Sequence, residues 1–472
     1  MATIKIDKFG GIAPRQHPTQ LADGMAVEAH NVKLKSGKLV PLRQPKIEEE
    51  IYTHREEGLS SVSEAQSMHI WRNYYSGFDF LLFKGVTWLS EGNIADDEKA
   101  RVIVSGDRDG DGEIDEPVVY MKDATNRKII HPIIKTPLGA PKVSRVNTTE
   151  LNENRRYTRF FVTWVDEYGY ESPVSQPSLT WSSASESYED EDFEYMDGDT
   201  VSIKLEISGE EKDKIAKLRF YKVITGTEEG RIQFIAEKSV DYADKDGNYY
   251  VMVKDENAGE VMPEIEAPPE DLHCILDVPG GFYCGISRKS PHTVMFSDID
   301  LLYSWPIAYR YDVKDKLVAL AVAGNTVFAL TNGTPYVLTG TAPESMTVTK
   351  LANSAACISP RGVCVYRNAV YFVSNAGLMT IYANTSSGTV CENLTDKIFT
   401  KEQWQAFNPA SCVMGQFDGA LHLFFDKTDG SHYGLTIDLT EGAAVAVTTH
   451  DETAKCVCVD NEADKMYYIR EG

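Results

Sequence analysis

Apolar and polar residues alternate over much of this chain, and the alternation comes back in units. From 318 to 340 (VALAVAGNTVFALTNGTPYVLTG) two alternating runs flank Gly324 and Asn325, and Asn332 and Gly333 turn the chain into a third. Period-two alternation predicts strands with one buried face, and Gly-Asn or Asn-Gly pairs predict tight hairpins. The same design recurs at 363–377 (VCVYRNAVYFVSNAG), 412–425 (CVMGQFDGALHLFF) and 456–469 (CVCVDNEADKMYYI). These units start at 318, 363, 412 and 456, which is 45, 49 and 44 residues apart. One small twisted sheet cannot bury both its faces, so a strand-rich repeat of roughly 40–50 residues predicts the blades of a β-propeller. Five to seven blades fit the chain length.

Earlier in the chain, His69–Trp71, Phe78–Phe83 and Val86–Leu89 make another unit of this kind, whereas the last repeat stops at its second strand near Tyr468. An incomplete final blade would close by borrowing strand from the other end of the chain, which removes an open sheet edge. Residues 1–45 are the natural donor. Within them Asp23 is placed to cap a short helix over Met25–His30, and Val32–Leu34 and Leu39–Leu42 pair as a hairpin across Ser36 and Gly37. The polar, acidic residues 46–66 read as an exposed loop. Thr400 and Gln403 form a capping box that opens a short helix carrying Trp404 and Phe407 on one face, with core packing the expected role of that pair.

The pattern changes after the Pro/Gly cluster Pro137–Pro141, which reads as a linker. Residues 157–166 (YTRFFVTWVD), Val201–Ile207, Lys217–Ile224 and Ile232–Ala236 are short strand-like runs broken by turn signals, the pattern of a small β-sandwich. The EYGYESPVS stretch (167–175) between strands looks like a fibronectin type III-like module. The serine-rich, then acidic, tract Ser182–Asp199 reads as a mobile loop. The predicted organisation is all-β: a strap at 1–45, a first propeller part at 46–140, an inserted sandwich at 141–268, and blades at 269–472.

Composition narrows the function classes. The 472 residues carry a formal net charge of −24, which argues against tight wrapping of nucleic acid yet suits a surface past which a polyanion slides. No apolar run approaches the ~20 residues of a membrane-spanning helix, and MATIKIDKFGGIAP lacks the apolar core of a signal peptide. The eight cysteines all fall between Cys274 and Cys458, mostly inside apolar strands, and read as reduced core thiols. The chain has no GxSxG, P-loop, HExxH or GxGxxG signature and no paired histidines at helical metal spacing. A glycosidase-type carboxylate pair has no positive support, which leaves a carbohydrate-active enzyme as a third reading at most.

The sharpest local motif is Asp107, Asp109, Asp111, Glu113 and Asp115, the opening of a calcium loop. Carboxylates at positions 1, 3 and 5 converge on one hard cation, Gly112 allows the turn, and the Glu113 carbonyl and Asp115 contribute at positions 7 and 9. Position 12 is Val118 in place of the usual glutamate, with Glu116 the nearest substitute, and the flanks read as strands (Val102–Val104, Val118–Tyr120). A bound Ca2+ here would be structural; a solvated acidic turn is the plain reading. Asp244, Asp246 and Asn248 make a weaker echo that reads as a turn.

Several phrases carry a resemblance. They are FGGIAPR (9–15), AHNV (29–32) and SGKL (36–39) at one end, and TPYVLTGTAP (334–343), NAGL (375–378) and FTKEQWQAFNPAS (399–411) at the other. Together they resemble virion structural proteins of tailed bacteriophages, and among these the tail nozzle, or tail tubular protein B, of short-tailed phages. The resemblance implies a non-enzymatic, hexameric ring in the virion tail, assembled in the host cytoplasm. Its expected neighbours are the tail adaptor and portal-proximal proteins and the tail fibres or spikes, with double-stranded DNA passing through the channel unbound. The alternative is a propeller at the tail tip that recognises a host glycan or another virion protein.

Overall fold

The computed structural model describes residues 9–35, 38–42, 44–48, 53–55, 59–72, 77–92, 97–123, 127–133, 135–146, 155–223, 231–253, 259–353, 355–384, 388–439 and 446–470. The protein is all-β, and its chain divides into two compact units. One comprises Met1–Ile133, Pro269–Leu302 and Ala308–Gly472; the other comprises Ile134–Pro268 with Tyr303–Ile307.

In the first unit, five four-stranded antiparallel sheets are each built from strands consecutive in sequence, at 87–132, 272–312, 317–350, 363–393 and 413–450. A three-stranded sheet (Thr53–Arg55, Phe78–Phe83, Ser67–Arg72) and a final pair (Cys456–Asp460, Lys465–Ile469) accompany them. The hairpins follow turn chemistry. Asp418 and Gly419, both at positive φ (49° and 76°), join Phe417 to Ala420, as a two-residue type I′ turn requires. Val86 does not extend the Phe78–Phe83 unit, because Thr87–Glu91 pairs with Val102–Gly106 and starts a new sheet.

Neighbouring sheets meet through their first strands. Thr87–Glu91 lies beside Leu272–Val278, and Leu317–Ala323, Val363–Tyr366, Val413–Phe417 and Cys456–Asp460 follow side by side. Side chains tie these sheets together: Ser90 Oγ donates to the Ile275 carbonyl (2.7 Å), and Ser359 Oγ, ahead of Val363–Tyr366, to that of Cys412, just before Val413–Phe417 (2.8 Å). Cys456–Asp460 in turn lies beside Ser67–Arg72. There Leu59, Ala65, Met68, Phe80 and Leu82 share a core with Cys456 and Ile469. Arg72 reaches across to Asp460 (2.7 Å), which is almost fully buried, and to Glu462 (2.5 Å). Finally Trp71, Leu81 and Phe83 pack on Val102, Val104, Val118 and Tyr120 of the 87–132 sheet.

The N-terminal residues serve a different sheet from the one their sequence suggests. Ala29–Asn31 runs parallel to the outer strand Ala446–His450, with Thr449 N donating to Ala29 O (2.9 Å) and Asn31 N to Thr449 O (2.7 Å). They thus extend the 413–450 sheet, whereas the two-stranded end of the chain is covered by the 53–83 sheet. The helix expected over Met25–His30 does not form. Met25–Ala26 is instead a short strand parallel to Gly11–Ile12, and Ala26 O accepts from Ala13 N (2.9 Å). Residues 10–13 offer Met25 and Ala26 backbone partners along an extended strand, and that pairing takes the place of the local helix. The Val32–Lys35 and Lys38–Pro41 hairpin forms as expected. So does the Thr400 capping box, with Trp404 fully buried and its Nε1 donating to Ser374 O (2.8 Å). Phe407 stacks on Tyr433 at 4.7 Å.

In the second unit, a five-stranded sheet (order Ser187–Glu189, Leu179–Ser182, Lys142–Arg145, Thr200–Lys204, Asn248–Met252) and a three-stranded sheet (Phe160–Val165, Lys217–Val223, Ile232–Ser239) share one apolar core. The run 157–166 is not one strand. It breaks at Arg159, whose guanidinium pairs with Asp190 and Asp192, and its first part, Arg156–Thr158, pairs with Phe193–Tyr195. The tract 182–199 is therefore ordered structure rather than a mobile loop: its Phe-Glu-Tyr alternation sends Phe193 and Tyr195 into the core. Pro137–Pro141 is no free linker either, since Leu138 is buried in that core and Pro141 O accepts from Leu179 N (2.8 Å). Along the edge of Phe160–Val165 runs a serine ladder. Ser172, Ser175 and Ser178 each donate a backbone N–H to that strand (2.9–3.0 Å). Each also accepts one of its N–H groups at Oγ (3.0–3.1 Å). The intervening prolines lack a donor, so the edge ends there.

Two outcomes follow. Arg72→Ala leaves the buried Asp460 carboxylate without its cation and should destabilise the first unit by about 3–5 kcal/mol in denaturant titration. Asp460→Asn in the Arg72→Ala background should recover part of that loss. The second outcome concerns pH. Burial holds His69, His422 and His450 down to about 4, so between pH 4 and 6.5 the unfolded chain binds more protons than the folded one. Stability should be flat above about pH 6.5 and fall on acidification toward pH 4, by on the order of 1.4 kcal/mol per unit for each group. Unfolding midpoints measured from pH 8 to 4.5 check this.

Candidate metal site

The Asp-rich loop joins two buried strands, Val102–Gly106 and Asp115–Lys122, so both ends are held by a sheet rather than by helices. Its backbone is anchored by Asp107 N to Val86 O (3.0 Å) and Lys84 N to Arg108 O (3.2 Å). Inside the loop the aspartates act first as turn acceptors. Asp107 takes the N–H of Gly110 (2.7 Å) and of Gly112 (3.2 Å), Asp109 that of Asp111 (3.0 Å), and Asp111 that of Glu113 (2.8 Å). Gly110 and Gly112 sit at φ of 77° and 94°, which lets the chain curl over Asp107.

Of the five residues picked out by spacing, three converge. Carboxylate oxygens of Asp107, Asp109 and Asp115 lie within 4.8 Å of one another. Asp111 and Glu113 stand outside that group. Glu113 instead lines an open hollow of about 420 Å³ with Ile114, Glu116, Glu270, Asp271, Arg288 and Lys289, and Glu116 likewise stands outside the three. Two arginines moderate the local charge. Arg108 donates its backbone N–H to Asp115 (2.6 Å) with its guanidinium 3.7 Å from the same carboxylate, and Arg288 donates to Gly112 O (2.5 Å). Three carboxylates with lone pairs to spare suit a hard divalent cation in type. The geometry also stands as a self-capped acidic turn. Asp244, the weaker echo, is plainly such a turn: the N–H of Asn248 foremost, with those of Asp246 and the Tyr250 hydroxyl, holds it down to about 2.

One charged cluster escaped the motif search. Asp79, buried between the 53–83 and 87–132 sheets, pairs with Lys122 and with His54 (3.1 Å), and Lys122 Nζ sits 4.5 Å from the Trp71 ring centroid. Its signal is a lone carboxylate in the apolar strand FDFLLF and a lone lysine ending VVYMK, since buried charges occur in pairs. The cluster acts as a clamp between the two sheets. All eight cysteines are free thiols. Burial raises Cys274, Cys357 and Cys456 to about 12, which keeps them unreactive.

No family model and no curated protein matches this chain. Among solved structures it is similar to a Bacteroides fragilis protein described as exported (7% identity, TM-score 0.25, 66% of this chain and 80% of that one). A puromycin-hydrolysing peptidase of Mycobacterium tuberculosis gives 10% identity and a TM-score of 0.25, over 76% of this chain and 52% of that one. A Desulfotomaculum acetoxidans protein of unknown function gives 13% identity and a TM-score of 0.21, over 53% and 95%.

Asp107→Ala removes the acceptor for two backbone N–H groups in the loop and should cost about 1–3 kcal/mol in denaturant titration. Asp111→Ala, which frees one exposed N–H, should cost less than half as much.

Proposed function

We propose that this chain is a non-enzymatic structural subunit of a bacteriophage tail, a nozzle-type protein that assembles into a ring around the path of the ejected genome. The proposed architecture is a β-propeller carrying a fibronectin type III-like sandwich inserted between its sheets. The order in which first strands neighbour one another, ending with Cys456–Asp460 against Ser67–Arg72, supports the propeller.

The observation that carries the reading is the convergence of the resembling phrases. FGGIAPR and FTKEQWQAFNPAS stand almost four hundred residues apart, yet Arg15 N donates to Ile398 O (2.9 Å), Gln403 Nε2 donates to Pro14 O (3.0 Å) and Arg15 pairs with Asp396 (3.3 Å). Ile12, Ala29, Phe399, Trp404 and Cys412 belong to one core cluster. FGGIAPR, AHNV, NAGL and FTKEQWQAFNPAS are therefore parts of one structural block, whereas TPYVLTGTAP packs in neighbouring sheets; the block supports a shared scaffold rather than a chance scatter of words. An acidic chain suits a channel for DNA, because like charge keeps the polyanion from adhering. In this reading the ring is hexameric, sits in the virion tail next to adaptor and portal-proximal proteins, bears the fibres or spikes, and is assembled in the host cytoplasm. Ca2+ at Asp107, Asp109 and Asp115 would stiffen a loop and take no part in passage.

Native mass spectrometry and negative-stain imaging, on the protein alone and mixed with its co-purified tail adaptor, test the reading. Rings with a central hole are expected. A chain that stays monomeric in both conditions overturns it and moves the weight to a recognition propeller. Millimolar Ca2+ should raise the melting temperature of the wild type and leave that of Asp107→Ala unchanged.

A further inference from the structure

The register of the five-stranded sheet in the second unit sets up a face that no motif announced. Val143, Val201, Ile203, Tyr249 and Val251 point into the core. Their neighbours in each strand point the other way. Pairing then aligns those outward residues in rows across the strands. Trp181 lies opposite Tyr188, Ser144 opposite Ser202, and Ser202 opposite Tyr250. Leu179, two residues before Trp181, lies opposite Lys142, which in turn lies opposite Lys204 and then Asn248. One row therefore reads Tyr188, Trp181, Ser144, Ser202, Tyr250, and the row beside it Leu179, Lys142, Lys204, Asn248.

The first row has an aromatic residue at each end and small hydroxyl residues between. Trp181 is 44% exposed and Tyr250 48%. Trp181 packs edge-on against Tyr188 (5.1 Å), Lys142 Nζ lies 5.8 Å from the Tyr188 ring centroid, and the Tyr250 hydroxyl is fixed by Asp244 (2.9 Å). These contacts hold the rings in place while leaving area open. Three strand spacings separate Trp181 from Tyr250, about 14 Å. The floor between them offers donors and acceptors from Ser144, Lys204 and Asn248, whose Oδ1 also accepts from the buried Ser202 hydroxyl (3.2 Å).

We propose that this face binds a neutral oligosaccharide lying across the strands. An exposed aromatic ring presents an apolar surface that stacks on the C–H face of a pyranose, and amphipathic aromatic side chains gather where a ligand is part apolar and part wet. The strand spacing of about 4.8 Å is close to the length of one sugar residue, so a chain crossing the strands meets one row residue per sugar. Charge decides against the other occupants. Lys142 is paired with Glu206 (2.6 Å), whose carboxylate also feels the charge of Lys204, and Asp244 stands at the Tyr250 end, so two lysines and two carboxylates leave the face near neutral on a chain of net charge −24. A polyanion gains nothing there, and the polar floor lacks the apolar centre that a second protein would bury. The inference is independent of the tail reading.

The test is calorimetric titration of the full chain with cello-, malto-, manno- and chitohexaose. One of the four is expected to bind with a Kd of about 1 mM or tighter. Trp181→Ala and Tyr250→Ala should each weaken it about tenfold or more, whereas Tyr242→Ala, an exposed tyrosine outside the rows, should leave it unchanged. Circular dichroism of the variants should match the wild type, since both rings lie outside the core. No heat with any of the four sugars up to about 10 mM overturns the proposal. So does binding that survives the Trp181→Ala/Tyr250→Ala double variant. Loss of self-association in Trp181→Ala without any sugar binding also overturns it, and assigns the face to a second copy of the chain.

Discussion

The first unit depends on a junction between residues that are far apart in sequence. Ser67–Arg72 and Cys456–Asp460 lie side by side, and Arg72 meets Asp460 across 388 positions. Without that junction, Phe80 and Leu82 on one side and Cys456 and Ile469 on the other would face water. Closing so long a loop costs only slowly growing entropy, because the cost rises with the logarithm of length. The apolar surface covered can therefore outweigh it. The ion pair adds direction more than energy. A buried pair gains little over apolar residues of the same volume, yet a lone Asp460 carboxylate is costly, so only the register that delivers Arg72 is tolerated.

The same logic of covered edges recurs wherever a sheet ends. Ala29–Asn31 covers the outer edge of the 413–450 sheet, where His30 reaches both Thr449 Oγ1 and Asp451 at 2.8 Å. The serine ladder covers Phe160–Val165 without being a strand at all, through hydroxyls spaced three residues apart between prolines. Each device gives unpaired N–H groups a partner and denies them to another chain.

What was legible in the sequence tracks what is local. The repeats at 318, 363 and 412 appear as four-stranded sheets because their alternation and their turns, such as Asp418 and Gly419, are written in adjacent residues. The capping box at Thr400 was legible for the same reason. Failures came where a distant partner decided. Met25–Ala26 pairs with Gly11–Ile12 instead of coiling, and 182–199 is ordered because Arg156–Thr158 and Arg159 lie beside it. At the metal site, spacing put five carboxyl groups in one loop, but the backbone bonds that bring three together are properties of the folded turn. The rows holding Trp181 and Tyr250 were invisible for the plainest reason: register is a relation between strands, and no single strand contains it.

The acidity of the chain has its own structural source. A protein built of meandering sheets needs many turns, and aspartate supplies the acceptor for an N–H two residues on. Asp97, Asp109, Asp166, Asp244, Asp429 and Asp460 all do this, each taking at least one nearby backbone N–H. Such a carboxylate directs its charge into its own loop, and a partner such as Arg101 beside Asp97 or Arg72 beside Asp460 neutralises it further. Part of the −24 is thus turn chemistry, spread over the surface wherever strands reverse. Charge of this origin is carried by many separate turns rather than by one acidic patch. If the chain is the channel wall proposed above, charge dispersed in this way would leave no single acidic or basic patch to set the pace of a passing polyanion.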